Sequence, residues 1–250
     1  MRRGVFTFGE IRSDNYDIYI SGSGTHNAPE EDVERIEIPG RNGDLLIRKN
    51  RFLNVEVKYP AFTFAKDAEG YAEKIREIRN ALKSQKGYCR LQDTYHPDEY
   101  RIASFTAAIE TADTAVLRAG SFDLIFNCKP QRFLTLGEEE IEFSNSSGST
   151  ATFNIINPSR FPSKPLIKVT GYGTLGIGNQ SITISGTAGQ VLYIDCDVME
   201  CYSISGGAKT SQNSKLTTGP DYPELVGGDN GIQMPSTITN LVITPRWWVI

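Results

Sequence analysis

Histidine is almost missing from this chain: 250 residues contain two, His26 and His96. A nucleophile-base pair needs a histidine or another tuned base beside Ser or Cys. Both histidines stand in loop-like contexts, Thr25-His26-Asn27 and Tyr95-His96-Pro97, and read as surface loop residues. That scarcity argues against hydrolytic catalysis. An excess of basic residues is also lacking: 26 Lys and Arg face 30 Asp and Glu, a net charge of −4. Binding nucleic acid by phosphate neutralisation usually needs a dense basic face. No apolar run approaches the ~20 residues that cross a bilayer. Met1-Arg2-Arg3 leads into alternating Val5, Phe6 and Phe8 rather than a continuous apolar core. No secretion signal is therefore expected, and folding in cytoplasm is. Low-complexity blocks and fixed-period repeats are missing too.

Other chemistry is thin. Cys89, Cys128, Cys196 and Cys201 lie far apart except the last two, whose gap is not a zinc-knuckle spacing. They read as free thiols, buried or half-buried. Glu138-Glu139-Glu140 reads as a charged linker, because glycoside hydrolysis needs two carboxylates converging across a cleft. Gly173-Thr174-Leu175-Gly176-Ile177-Gly178 lacks the Lys-Ser/Thr ending and the following helix of a phosphate loop, and reads as a β-turn. An Asp229-Asn230-Gly231 turn and Asp195-x-Asp197 supply too few ligands for a recognised calcium loop. No catalytic, metal or cofactor residue is assigned.

What the chain does have is β-pattern. Its 23 glycines and 12 prolines fall mostly between short apolar runs. Val55, Val57 and Tyr59 alternate with Asn54, Glu56 and Lys58, and Phe122, Leu124 and Phe126 with Ser121, Asp123 and Asn127. Ala103, Phe105, Ala107 and Ile109 line one side of 101 to 110. One helix is predicted at about 67 to 86, with Tyr71, Ile75, Ile78 and Leu82 as its apolar stripe, Asp67 as N-cap, Glu69 in the first turn, Lys83 and Lys86 at the end, and Gly87 as the left-handed stop. A boundary is expected at 130 to 145, around Pro130, the acidic triplet and Ser144 to Ser149. Beyond it, short runs at 152–156, 166–170, 181–185, 191–195, 199–204 and 241–245, with glycines between them and no helix pattern, predict a β-sandwich. The fold class is mainly β, in two domains, 1–135 and 136–250.

The run Ile36-Glu37-Ile38-Pro39-Gly40-Arg41-Asn42-Gly43-Asp44-Leu45-Leu46-Ile47 is a polar turn between two apolar strand ends. Pro39-Gly40 and Asn42-Gly43 are turn signals. Alternation of Ile36 and Ile38 with Arg35 and Glu37 predicts an arriving strand with one side buried. This run, the Phe6-Thr7-Phe8 and Tyr19-Ile20 strands, the strand at 54–59, the helix, and Ser121 to Pro130 occur in an order that resembles the distal tail protein (Dit) family of long-tailed bacteriophages and prophages. The motifs cover the first half; the second half matches in length and β-character.

The resemblance implies a tail-tube-like first domain with one helix and a galectin-like sandwich after it. It further implies a structural virion protein at the distal tail tip, forming a homohexameric, possibly stacked, ring through the first domain. Such a ring joins the tail tube protein to tail-tip, receptor-binding or baseplate proteins and encloses a channel that DNA traverses. No enzyme, cofactor or membrane insertion is implied. Pro39, Gly40, Arg41, Asn42, Gly43 and Asp44 serve as a structural signature. The alternatives are a tail tube protein and a carbohydrate-binding module for host wall polysaccharide. Adjacent strand residues face opposite ways, so at most one of Trp247 and Trp248 is exposed. Trp248 is the candidate sugar contact, set against packing in the core or at a subunit interface.

Overall fold

The computed structural model describes residues 3–22, 27–109, 119–219 and 221–250. The chain divides into two compact units after Arg132, each with a hydrophobic core of its own. His26 lies outside the described residues.

The first unit contains strands β1 (Phe6–Phe8), β2 (Ile11–Arg12), β3 (Ile18–Ile20), β4 (Glu31–Ile36), β5 (Leu45–Phe52) and β6 (Val55–Phe64), helix α1 (Ala68–Ser84), then β7 (Cys89–Asp93), β8 (Glu99–Ser104) and β9 (Ala119–Leu134), which carries the chain onward. The main sheet runs β2-β1-β7-β8-β9-β6-β3. Its longest ladder pairs β6 with β9, antiparallel, from Val55 opposite Cys128 to Phe64 opposite Ala119. Period-2 alternation places Val55, Val57, Tyr59 and Ala61 of β6, and Phe122, Leu124 and Phe126 of β9, in the core. There Phe126 packs edge-on or tilted against Phe6, Phe8, Tyr59 and Phe105.

Helix α1 buries Tyr71, Ile75, Ile78 and Leu82, the predicted stripe. The Asp67 side chain accepts the Gly70 N–H at 2.8 Å, which satisfies one of the helix's free N–H groups. Gly120 lets the Tyr71 ring lie against β9, since a Cβ there would collide with the phenol. The C-terminus differs from expectation. Gln85 turns extended (φ −72°, ψ 120°), so the helix ends at Ser84, and Gly87 takes its positive φ beyond the helix. Part of the charged face ties down neighbouring chain: Lys74 Nζ donates to the Phe64 carbonyl, and Lys83 Nζ to the carbonyls of Thr106 and Ala107.

The second unit contains β10 (Ile141–Ser144), β11 (Ala151–Asn157), β12 (Leu166–Gly171), β13 (Gly173–Ile177), β14 (Gln180–Ile184), β15 (Val191–Asp195), β16 (Glu200–Ser205), β17 (Ala208–Ser211), β18 (Leu216–Thr218), β19 (Gly228–Met234), β20 (Ile238–Thr244) and β21 (Trp248–Val249). Two antiparallel sheets, β10-β20-β12-β15-β16-β17 and β11-β19-β13-β14-β18, share one aliphatic core. Ile167, Val169, Leu192, Ile194, Leu241 and Ile243 come from one sheet, and Leu175, Ile177, Ile182, Ile184, Ile232 and Met234 from the other. The architecture is mainly β, with a single α-helix among the described residues.

Two turn readings fail here. Residues 173–177 form strand β13, not a turn. Leu175 and Ile177 are buried at period-2 spacing, and only Gly178 (φ 57°) belongs to the turn that follows. Asp229-Asn230-Gly231 is likewise the interior of β19. Pro130 lies within its strand, since β9 runs on to Leu134.

Candidate functional site

The signature turn closes a two-stranded ribbon, β4 with β5, that joins none of the three larger sheets. Arg35 pairs with Leu46 and Ile36 with Leu45. The Arg41 N–H donates to the Ile38 carbonyl at 3.1 Å, while Gly40 has φ 78°. Proline at the second position and a positive-φ glycine at the third make this a type II turn. Gly43 (φ 81°) is the other left-handed residue, and Asn42 stays at negative φ.

The strands leading into the turn do not bury a face within the chain, contrary to the sequence pattern. Ile36, Leu45, Leu46 and Ile47 are exposed at 39, 46, 47 and 42%. Nearer its base the ribbon is held by charge. Asp32 pairs with Lys49 at 3.0 Å and Arg51 at 2.6 Å. Hydrogen bonds from Lys49 and Arg51 hold the Asp32 carboxyl below the ordinary carboxylate range. An isolated two-stranded ribbon is marginal in water. Apolar residues clustered at its end, with polar rungs behind them, form a surface suited to protein contact.

Trp247 is buried and belongs to the second core. Trp248 is half-buried; Phe161 stacks on it at 4.6 Å, and its indole N–H donates to the Pro162 carbonyl at 2.9 Å. A platform for a sugar ring needs an open face and polar groups beside it, and Trp248 already spends one ring face and its only donor inside the protein.

The remaining candidate residues have structural duties. Asp195 grips Arg246 through two hydrogen bonds of 2.6 and 2.9 Å and accepts the Asp197 N–H. Burial alone would raise the Asp195 carboxyl, but Arg246 together with the backbone N–H groups of Asp197 and Val198 more than offsets it and holds the group below its ordinary value. Asn230 is fully buried; its amide donates to the carbonyls of Ile155, Val226 and Gly228 and accepts the Val226 N–H. Cys89 is half-buried and the other three cysteines are buried and free. Burial pushes the Cys128 and Cys196 thiols up to about 12, which leaves them as inert thiols at neutral pH. His96, read as a surface residue, is half-buried with Nδ1 3.2 Å from Asp93. Among the described residues no three His, Cys, Asp or Glu side chains cluster to hold a metal, and no helix is long and apolar enough to cross a membrane.

The pattern overlooked a buried charged cluster in the first unit: Asp93, Arg101 and Arg132. The signal was available. Arg101 shares the parity of Ala103 and Phe105, and Arg132 that of Phe122, Leu124 and Phe126, so strand alternation points both inward.

No family model and no curated protein matches the chain in sequence. Its fold is nonetheless that of solved phage proteins. It is similar to the Dit protein of phage SPP1, described as a paradigm of the hub adsorption apparatus in Gram-positive-infecting phages. Identity is 10% and the TM-score 0.77, over 97% of this chain and 98% of that one. It is also similar to a chain of the phage P2 baseplate in its activated, calcium-containing conformation, at 10% identity and TM-score 0.52, over 97% of each.

Proposed function

We propose that this chain is a structural hub subunit at the distal end of a phage or prophage tail. The observation that carries this is the fold match to SPP1 Dit, which extends through both units over nearly the whole of both chains. A tail tube protein would account for the first unit and leave the sandwich without a purpose. The role requires no catalysis.

In this role six copies close into a ring through their first units. A cyclic ring is built from heterologous contacts, in which one patch meets a different patch on the next copy. The β4–β5 ribbon supplies one such patch, because its apolar end is left open by its own chain. The second units face tail-tip, baseplate or receptor-binding proteins, and the tail tube abuts the ring. DNA crosses the central channel, whose lining is neutral or acidic; a basic lumen would retain DNA through counterion release. The net charge of −4 is compatible with such a lining.

The test is native mass spectrometry of the full chain at high concentration, together with electron microscopy in projection. Rings of six, or stacked pairs of them, are expected. A two-fold dimer built on the first unit's strands would overturn the proposal. Saturable binding of wall polysaccharide, lost in a folded Trp248→Ala protein, would favour the carbohydrate-binding alternative.

A further inference from the structure

At one end of the core face of the main sheet, four strands bring polar side chains together: Tyr59 from β6, Asp93 from β7, Arg101 from β8 and Arg132 from β9. They line a cavity of about 20 Å³ together with His96 and Glu99. Arg101 is 6% exposed and Arg132 7%. Two guanidinium groups buried side by side are costly, since each is withdrawn from water and repels the other. Burial holds the Arg101 guanidinium below its ordinary value, and the charge of Arg132 acts in the same direction.

The acidic groups in the cavity do not reach all of its donors. Asp93 Oδ2 accepts the Tyr59 hydroxyl at 2.7 Å. Its Oδ1 accepts the N–H groups of Tyr95 and His96 at 2.8 and 3.0 Å and lies 3.2 Å from His96 Nδ1. Glu99 Oε2 accepts from Arg132 Nη1 at 3.2 Å. Both terminal nitrogens of Arg101 and the Nε of Arg132 are buried with no hydrogen-bond partner among the described residues. Buried donors of this kind are rarely left unmet, and a charged one costs more than a neutral one.

We propose that this cavity is a binding site for one monatomic anion, chloride in ordinary buffers, held by the free donors of Arg101 and Arg132. The size fits. A cavity needs roughly 10–15 Å³ to hold one water, so a space of about 20 Å³ accommodates one small ion at the donors. Asp93 and Glu99 balance the two guanidinium charges overall, but neither carboxylate reaches the unmet donors, and a halide meets charged donors with the negative charge that water lacks. Bound there, it ties β8 to β9 and stabilises the first unit by ordinary ligand linkage.

The experiment uses the full chain. Melting is followed in sodium chloride, in sodium bromide and in sodium gluconate, a bulky organic anion, at equal ionic strength. Crystals soaked in bromide are examined for anomalous scattering. The expected result is a saturable rise of several degrees in the first-unit transition with chloride or bromide over gluconate. An anomalous peak in contact with Arg101 is expected too, and a folded Arg101→Met protein should show no halide dependence. Should Arg101→Met fail to fold, the bromide peak in the unaltered protein decides the matter. Identical melting in all three salts with no peak at Arg101, as a lone water would give, overturns the site. So does halide dependence that persists in folded Arg101→Met.

Discussion

The two units solve the same packing problem with different materials. The first is rich in aromatic rings, with Phe6, Phe8, Tyr59, Phe105, Phe122 and Phe126 in the core, and it buries charge at Asp93, Arg101 and Arg132. It also leaves a ribbon with an apolar end outside its own sheet. The second has an aliphatic core, and its buried polar residues are neutral: Asn145, Asn157, Ser159, Ser163 and Asn230. Its asparagines close loops. Asn145 donates to the carbonyls of Ser149 and Met234, and Asn157 to those of Phe161 and Leu225. The first unit leaves charged donors unmet at Arg101 and Arg132 and holds an apolar ribbon end outside its sheet. The second uses its buried amides internally, yet leaves neutral Ser163 Oγ and Trp247 Nε1 unmet and exposes Ile156, Val198 and Met199. Both units therefore present surface that a partner could cover, and what sets the first apart is that its apolar end sits on a ribbon outside any larger sheet.

If the cores are separate, damage to one should spare the other. The largest effect is expected from Phe126→Ala, which removes a ring touching four other aromatics. A loss of about 3–5 kcal/mol is typical for such a truncation, and calorimetry should show the first-unit transition falling while the second stays in place. Asn230→Ala should do the reverse on a smaller scale. It removes the amide's hydrogen bonds to backbone groups of Ile155, Val226 and Gly228 from a fully buried position, at a cost of about 1–3 kcal/mol, read in the second-unit transition alone. A single transition that moves as a whole in both variants would erase the distinction.

A smaller effect separates the units by pH. The Asp195 carboxyl is depressed by Arg246, so its contribution is fully present above the unfolded value of about 3.8 and is lost as pH falls toward and through the folded value. Acid should therefore weaken the second unit through this pair, and Asp195→Asn should flatten that part of the curve. Circular dichroism melts between neutral pH and acid check it; an unchanged profile in Asp195→Asn would show that the pair carries no linkage.

Much of this was legible in the sequence, for identifiable reasons. Helix α1 declared itself because its stripe, cap and first-turn acid all agreed, and β6 because alternation held without interruption. Strand β13 was hidden because its glycines resemble turn punctuation. Inside the sheet Gly173 lies close to Thr237 and Gly176 to the Gln233 side chain, so the glycines mark close neighbours rather than a reversal. Asn230 looked like a turn residue because buried amides and turn amides make the same backbone hydrogen bonds. The exposed ribbon was misread for another reason. Alternation reports that a face wants burial and does not say whether the burying surface belongs to the same chain. The arginine cluster was concealed by habit alone, since charged residues are read as outward even where strand parity points them in.

The claim at the centre of this account is that the ribbon's apolar end is an assembly surface rather than part of the fold. The direct measurement is the double substitution Leu46→Asp, Ile47→Asp, followed by sedimentation velocity and by melting. Both residues are exposed, so stability should change by no more than about 0.5 kcal/mol, while the proposed six-fold assembly should fail and leave a folded monomer. Rings that persist in the substituted protein, or a melt that collapses with it, would contradict the account.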